Sequence, residues 1–248
     1  MRRPLKILIL FASYGDGHYQ VSQALRQRFA DYGANIVLAD LYAQAHPAVD
    51  RLVRFIYLKC YTVIPHLYGW VYYKTKHLDS NGLFFRFLHS FGLNKLRQII
   101  KTEQPDAVIN TFPILAMSML KMRREFSIPV YNVLTDFEFH ARWVHPVIDK
   151  YYVATDELKA QVMQTGVAEE RIAVSGIPLA PDFAAGLPER TAAREKLGID
   201  PGQKTVLVVA GAYGVMRQAE RICELLSRGG RLRAIIVCGR NRRLFQRL

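Results

Sequence analysis

The sequence predicts an α/β protein built on a parallel sheet with helices on both faces. Three observations carry that prediction. Short apolar runs alternate with stretches of helical spacing, beginning with Leu5-Lys6-Ile7-Leu8-Ile9-Leu10-Phe11 and continuing into Val21, Ala24, Leu25 and Phe29. A glycine turn, Ser13-Tyr14-Gly15-Asp16-Gly17-His18, joins this first strand to its helix. A strand, small-residue turn and helix then recur roughly 200 residues later, so a second unit of the same kind begins near the end of the chain.

The first turn is the most informative segment. A glycine turn between a buried strand and a helix points free backbone N–H groups at an anion. Gly15 and Gly17 let a ligand approach the backbone, and His18 is the side chain there that exchanges a proton near neutral pH. The combination suits chemistry on a hydroxyl beside a phosphate-like group. Two nucleotide motifs fail on spacing: a G-x-G-x-x-G fingerprint needs a small residue where the chain has Gln20, and the Gly-Lys-Ser/Thr end of a P-loop is absent. A plain strand-to-helix turn with His18 as decoration accounts for the same residues.

Further strands are predicted at 35–40, 106–110, 129–134, 151–154 and 172–174. A helix of period about 3.6 runs from Ile114 to Phe126, closed by Ser127 before Pro129, and another begins near Thr155, a suitable cap. Residues 134–145 form a loop at a strand's carboxyl end, where open α/β sheets bind ligands. Gly176-Ile177-Pro178 and the polar stretch 186–190 interrupt the pattern. A strand at 204–210, a turn at 211–214, a helix at 215–227 and a strand at 232–237 follow. The division read from this is an N-terminal domain over 1–180, a linker over 181–203 and an incomplete second domain over 204–248, since a domain needs on the order of 100 residues.

Composition narrows the function classes. Thirty-four Lys and Arg stand against 21 acids, a net charge of +13, so the expected partner is anionic: nucleic acid, a lipid surface or a phosphorylated substrate. Cys60, Cys223 and Cys238 are odd in number and widely spaced, which reads as reduced thiols rather than a disulfide framework or a zinc site. The apolar stretch after Arg2-Arg3 is interrupted by Lys6 and ends in the glycine turn, so it reads as the first strand and not as a signal peptide. No run of about 18 apolar residues occurs, so any membrane contact is expected to be peripheral.

Residues 51–101 hold nine Lys or Arg and one acid, Asp79, interleaved with aromatics that include Phe55, Tyr57, Trp70 and Phe84. On the helix starting near Pro47, Val49, Leu52, Val53, Ile56 and Cys60 share a face. Rings in the headgroup layer plus cations near an anionic surface are the chemistry of a bilayer interface, so an insertion over about 46–100 is read as membrane-associating. Ordinary core beneath a long connection is the alternative. Nucleic acid is disfavoured as a partner, because apolar residues dominate and no RNA or DNA motif is present.

Together these motifs resemble the processive diacylglycerol glucosyltransferases and monogalactosyldiacylglycerol synthases, which are GT-B glycosyltransferases. The residues that carry the resemblance span nearly the whole chain in order: Gly15-Asp16-Gly17-His18 with Ser22, Thr135-Asp136-Phe137 through His140, Trp143-Val144-His145, Asp149 to Thr155, Gly176-Ile177-Pro178, Ala210 to Val215, and Val237 to Asn241. It implies a GT-B fold: a Rossmann-like parallel sheet in the N-terminal domain, which receives the lipid acceptor, and the start of a second Rossmann-like domain that holds the UDP-sugar.

By that resemblance His18 is the base that deprotonates the diacylglycerol hydroxyl, or the 6-hydroxyl of a sugar already attached, with inversion at the anomeric carbon. Asp136 is the rival base or the partner that orients His18. Gly15, Asp16 and Gly17 face the anion, and His140, Trp143 and His145 line the acceptor mouth. Gly211, Tyr213, Gly214, Gly239 and Asn241 touch the donor. Asp136-Phe137-Glu138 imitates a D-x-D metal pair, but the family holds the diphosphate with helix ends and basic groups, so no metal and no cofactor beyond the UDP-sugar co-substrate is expected. The resemblance thus implies transfer of a hexose, glucose in preference to galactose, to diacylglycerol at the cytoplasmic face of the cell membrane. The later glycine-bearing segment and acidic residue of the family's donor site are missing, so the chain as given is expected to be weakly active or inactive. A lipid-linked cell-wall N-acetylglucosaminyltransferase and a non-catalytic basic module for membranes or nucleic acid are the two alternatives.

Overall fold

The apolar run after Leu5 becomes strand β1 (Lys6–Phe11), and its alternating side chains feed two different cores. Leu8 and Leu10 join one apolar cluster with Val108, Val130, Leu96 and Met117. Ile7 and Ile9 join the other with Val21, Ile109 and Val133. A strand buried on both faces is the mark of a parallel sheet covered by helices on each side. This computed structural model describes residues 3–14, 16–63, 92–184, 186–216, 218–228 and 232–248. Gly15 and most of the aromatic part of the insertion, 64–91, lie outside the described residues.

The first compact unit spans Met1–Ala184. Its elements continue with helix α1 (Asp16–Asp31), strand β2 (Asn35–Asp40), and helices α2 (Leu41–Ala45), α3 (Pro47–Val63) and α4 (Leu93–Glu103). Strand β3 (Ala107–Asn110), helix α5 (Leu115–Met122), strand β4 (Val130–Val133), strand β5 (Lys150–Val153), helix α6 (Asp156–Met163) and strand β6 (Ile172–Val174) complete the sheet. The strand order is β2-β1-β3-β4-β5-β6, and every pair is parallel. The chain therefore steps from β1 outward to β2 and crosses back over β1 to reach β3. The reversal leaves a topological switch point at the carboxyl ends of β1 and β3, where sheets of this kind bind ligands.

Two sequence expectations change in detail. The helix expected over 114–126 ends at Met122, because Arg124 adopts a left-handed φ of 54° and turns the chain toward β4. The end of the stretch assigned to the insertion is core: Leu93, Leu96, Ile99 and Ile100 of α4 are buried at helical spacing in the first apolar cluster, and the helix packs on α2 and α5. Helix α3 behaves differently. Leu52, Val53, Phe55 and Ile56 are exposed, whereas Asp50 is turned inward and buried.

The second compact unit spans Ala185–Leu248. Helix α8 (Arg190–Lys196), which follows the short α7 (Pro181–Ala184) and lies within the stretch read as linker, precedes strand β7 (Lys204–Val209), helix α9 (Ala219–Arg228), strand β8 (Leu232–Val237) and helix α10 (Arg242–Arg247). β7 and β8 pair in parallel from Lys204 opposite Leu232 to Val209 opposite Val237. Its small core gathers Ala210, Ala219, Cys238 and Leu244. The helix expected from 215 starts at Ala219, after a turn in which Gly211 and Gly214 both have positive φ.

Candidate active site

His18 stands in the first turn of α1, at the switch point between β1 and β3. Its Nδ1 lies 2.7 Å from the carbonyl oxygen of Thr111, the residue that follows β3, and 2.8 Å from the Thr135 hydroxyl, which follows β4. A buried hydroxyl pair fastens this meeting: Ser22 Oγ donates to the His18 carbonyl at 2.8 Å and lies 2.8 Å from Thr111 Oγ1. The β1–α1 turn is held from the other side, where the Asp40 carboxylate accepts from the backbone N–H of Ser13 and of Ala43, the latter capping α2.

Aromatic rings flank the imidazole. Phe112 meets His18 edge to face with centroids 5.0 Å apart, and Tyr14 and Tyr42 pack on Phe112. Burial pushes the Tyr42 phenol up to about 12, against the positive charge of Arg142 and with the help of Asp40, so it is a neutral group at any working pH. Burial also draws the His18 imidazole below the usual histidine range, opposed by the charge of Asp136 and by the Thr111 carbonyl. The residue is half-buried. A histidine in this state is neutral near pH 7 and can accept a proton.

The other sequence-predicted residues separate into two groups. Asp136 is exposed and acts on His18 through its charge. Asp16 and Gly17 sit in the same first turn as His18, while Gly15 is outside the described residues. The expectation that His140, Trp143 and His145 line an acceptor mouth is corrected by their burial: they are 4%, 1% and 6% exposed. Trp143 belongs to the apolar core, and its carbonyl accepts from the Asn132 amide at 2.7 Å. His140 Nδ1 caps the short 3-10 turn Ala141–Trp143 by accepting from the Arg142 N–H. His145 exchanges backbone bonds with the Tyr151 hydroxyl. The physical reason is that this loop passes over the sheet's end, so its backbone groups need internal partners and its large ring gains most by leaving water.

Within the second unit the turns after β7 and β8 interlock. A Cβ on Gly239 would come 2.3 Å from the Gly211 oxygen, and one on Gly214 would come 2.1 Å from the Cys238 oxygen. Arg240 N–H donates to the Ala212 carbonyl at 2.8 Å, and Asn241 donates its amide to the Gly214 carbonyl while its Oδ1 caps α10. Glycine at 214 and 239 is thus required by turn packing, and the Asn241 side chain is bonded inside the unit through both its nitrogen and its oxygen. Gly211 has open space at its Cβ position, and the Tyr213 ring lies 5.3 Å beneath the Arg240 guanidinium.

Sequence reasoning missed Thr111 and Asp40, and gave Thr135 no role. Thr111 offers a backbone carbonyl, which no side-chain pattern encodes, and Asp40 reads as the ordinary end of a strand. Among the described residues no group of three or more His, Cys, Asp or Glu side chains is arranged to hold a metal ion, and no helix is long and apolar enough to cross a membrane.

Residues 18–179 match the family model of monogalactosyldiacylglycerol (MGDG) synthase. Over 244 residues, 98% of the chain, the sequence is 38% identical to the processive diacylglycerol beta-glucosyltransferase of Bacillus cytotoxicus and to that of Bacillus cereus. The chain spans 62% of the length of each of these relatives. Among solved structures, the S. aureus MnaA–UDP co-structure aligns with 98% of this chain and 65% of its own length, at a TM-score of 0.53 and 14% identity. At that identity the likeness is one of fold.

Proposed function

Because the chain belongs to the MGDG synthase family, we propose that it serves glycolipid synthesis as the acceptor-binding part, with the beginning of the donor-binding part, of a UDP-hexose-dependent diacylglycerol β-glycosyltransferase. The single observation that carries the reading is the half-buried, neutral imidazole of His18 at the switch point of the sheet. The acceptor hydroxyl gives its proton to His18 as its oxygen attacks the anomeric carbon. The bond from that carbon to the UDP oxygen breaks, UDP leaves with the electron pair, and the configuration inverts. On a product that already bears a hexose, the sugar's 6-hydroxyl takes the place of the lipid hydroxyl. Glucose is favoured over galactose by the names of the 38% identical relatives.

In this reading the turn after β7, with Gly211 and Tyr213, and the turn after β8, with Gly239, meet the nucleotide-sugar, and no cofactor or metal takes part. The exposed apolar side chains of α3, together with the surplus of cations in the insertion, rest on anionic lipids at the cytoplasmic face of the cell membrane. The test is transfer from UDP-glucose to diacylglycerol in mixed vesicles by a chimera of this chain with the remaining C-terminal part of the Bacillus cytotoxicus relative. Glucosyl-diacylglycerol is the expected product. A chimera that loads only polyprenyl-linked acceptors, or none, overturns the proposal.

A further inference from the structure

We propose that Thr135 is a positioning residue which, with the Thr111 carbonyl, fixes His18 as the Nδ1–H tautomer and leaves Nε2 as the nitrogen that receives the proton. The inference rests on the reading of His18 as the base, and it is carried by two contacts at one ring nitrogen. A carbonyl oxygen only accepts hydrogen bonds, so the 2.7 Å contact from Thr111 O requires the proton on Nδ1. With the proton on Nε2 instead, two lone pairs would face each other across that distance. The Thr135 hydroxyl, 2.8 Å from the same nitrogen, then accepts a share of the Nδ1–H bond.

Both acceptors are held in place by bonds that do not involve the ring. The Thr111 side chain is tied to Ser22 within the buried hydroxyl pair, and the Thr111 N–H donates to the Leu10 carbonyl of β1 at 3.0 Å. Thr135 follows Leu134, whose N–H donates to the Tyr152 carbonyl of β5 at 2.9 Å, so its hydroxyl is carried on the end of the sheet rather than on a free loop. Phe112 meets the imidazole edge to face and restricts rotation of the ring. Asp136, which the family resemblance offers as the rival base or the orienting partner, is exposed and reaches the ring by charge alone. In a site of this design a backbone carbonyl and a threonine do the work that a carboxylate does in a Ser-His-Asp arrangement.

The experiment is a long-range proton–nitrogen correlation spectrum of the full chain with ring-labelled histidine, recorded above the imidazole titration and assigned with His18→Gln. The wild-type His18 signal is expected to have Nδ1 protonated and Nε2 bare. Thr135→Ser should keep that pattern, whereas Thr135→Val and Thr135→Ala should lower the ratio of the two tautomers by roughly three- to tenfold. A wild-type proton on Nε2 overturns the assignment. A ratio unmoved in either the Val or the Ala variant, with the circular dichroism of the wild type, overturns the role of Thr135. The spectrum needs neither sugar nor lipid. Failure of the transfer assay with the expected spectrum therefore removes the function and keeps the tautomer, and the converse result removes only the tautomer.

Discussion

Asn110 donates its side-chain amide to Asn132 Oδ1 across 2.8 Å, linking the ends of β3 and β4 inside the sheet's helical cover. Asn132 passes its own amide on to the Trp143 carbonyl. Two buried asparagines thus decide where the loop after β4, with Thr135 at its start, lies against the sheet.

Removing the middle of that relay should cost more than one hydrogen bond. Asn132→Ala leaves the Asn110 amide and the Trp143 carbonyl without their partner in a buried setting, a loss of about 2–4 kcal/mol. The urea midpoint should fall accordingly, and Trp143 emission should shift to the red as the loop loosens. A Trp70→Phe background isolates that signal. An unchanged midpoint and spectrum would refute the anchoring role.

The proton equilibrium of His18 gives stability a pH dependence of definite sign. Burial lowers its folded pKa below the ordinary value, so the unfolded chain binds the proton more readily than the native one. Stability is complete above the ordinary histidine value and is lost as pH falls from there to the lowered one. The melting temperature should decline on acidification across that window, and His18→Gln should flatten this part of the slope. Asp136→Asn removes the anion that favours imidazolium, so the ring should titrate at still lower pH in a nuclear magnetic resonance titration. A shift upward would mean that Asp136 does not act by charge.

For the transfer reaction itself, His18→Ala in the chimera should reduce turnover by about 10²–10⁴, the range of a positioned general base. Vesicle binding should persist, because α3 is a separate element. Turnover near the parent value would remove His18 from the mechanism.

The exposed apolar side chains of α3 predict a complementary result. Phe55 and Leu52 are each 58% exposed. Replacing both with Ser should weaken binding to vesicles rich in anionic lipid by roughly thirtyfold, since half-burial of each is worth about 1 kcal/mol and the two together about 2 kcal/mol. Equal loss of binding in Glu103→Ala, on the core helix α4, would argue against a specific face.

The interlocked turns of the second unit separate two kinds of glycine. Gly239→Ala forces a Cβ to 2.3 Å from the backbone oxygen of Gly211, where nothing flexible can yield, and should cost about 3 kcal/mol or more. Gly211→Ala meets open space and bears only its left-handed φ of 72°, a cost of about 1 kcal/mol. Differential scanning calorimetry distinguishes them. Equal destabilisation would show that backbone conformation, not packing, sets both.

Much of the fold was legible because its elements are encoded locally. β1 is apolar on both faces since it is covered on both, and the 3.6 period before Asp31 and the Thr155 cap needed no partner to be recognised. Helix α4 was absorbed into the insertion because its neighbours in sequence are basic and aromatic. Only its packing on α2 and α5 within the buried cluster distinguishes Leu96 and Ile100 from a membrane-facing stripe. Trp143, His140 and His145 read as site residues for a similar reason: a chemically rich residue in a loop looks the same in sequence whether it faces inward or outward.

The sequence by itself determined the alternation of strand and helix, the glycine turn and the presence of an imidazole at its end, because these depend on side-chain period, chirality and the freedom of glycine. The tertiary structure alone decided the strand order that puts the switch point beside that imidazole, and the pair of acceptors that meets it. Those acceptors lie 93 and 117 residues away along the chain, and one of them is a backbone carbonyl. A backbone carbonyl is common to every residue, so only the packing of β1, β3 and β4 can single out the one that holds a proton in place.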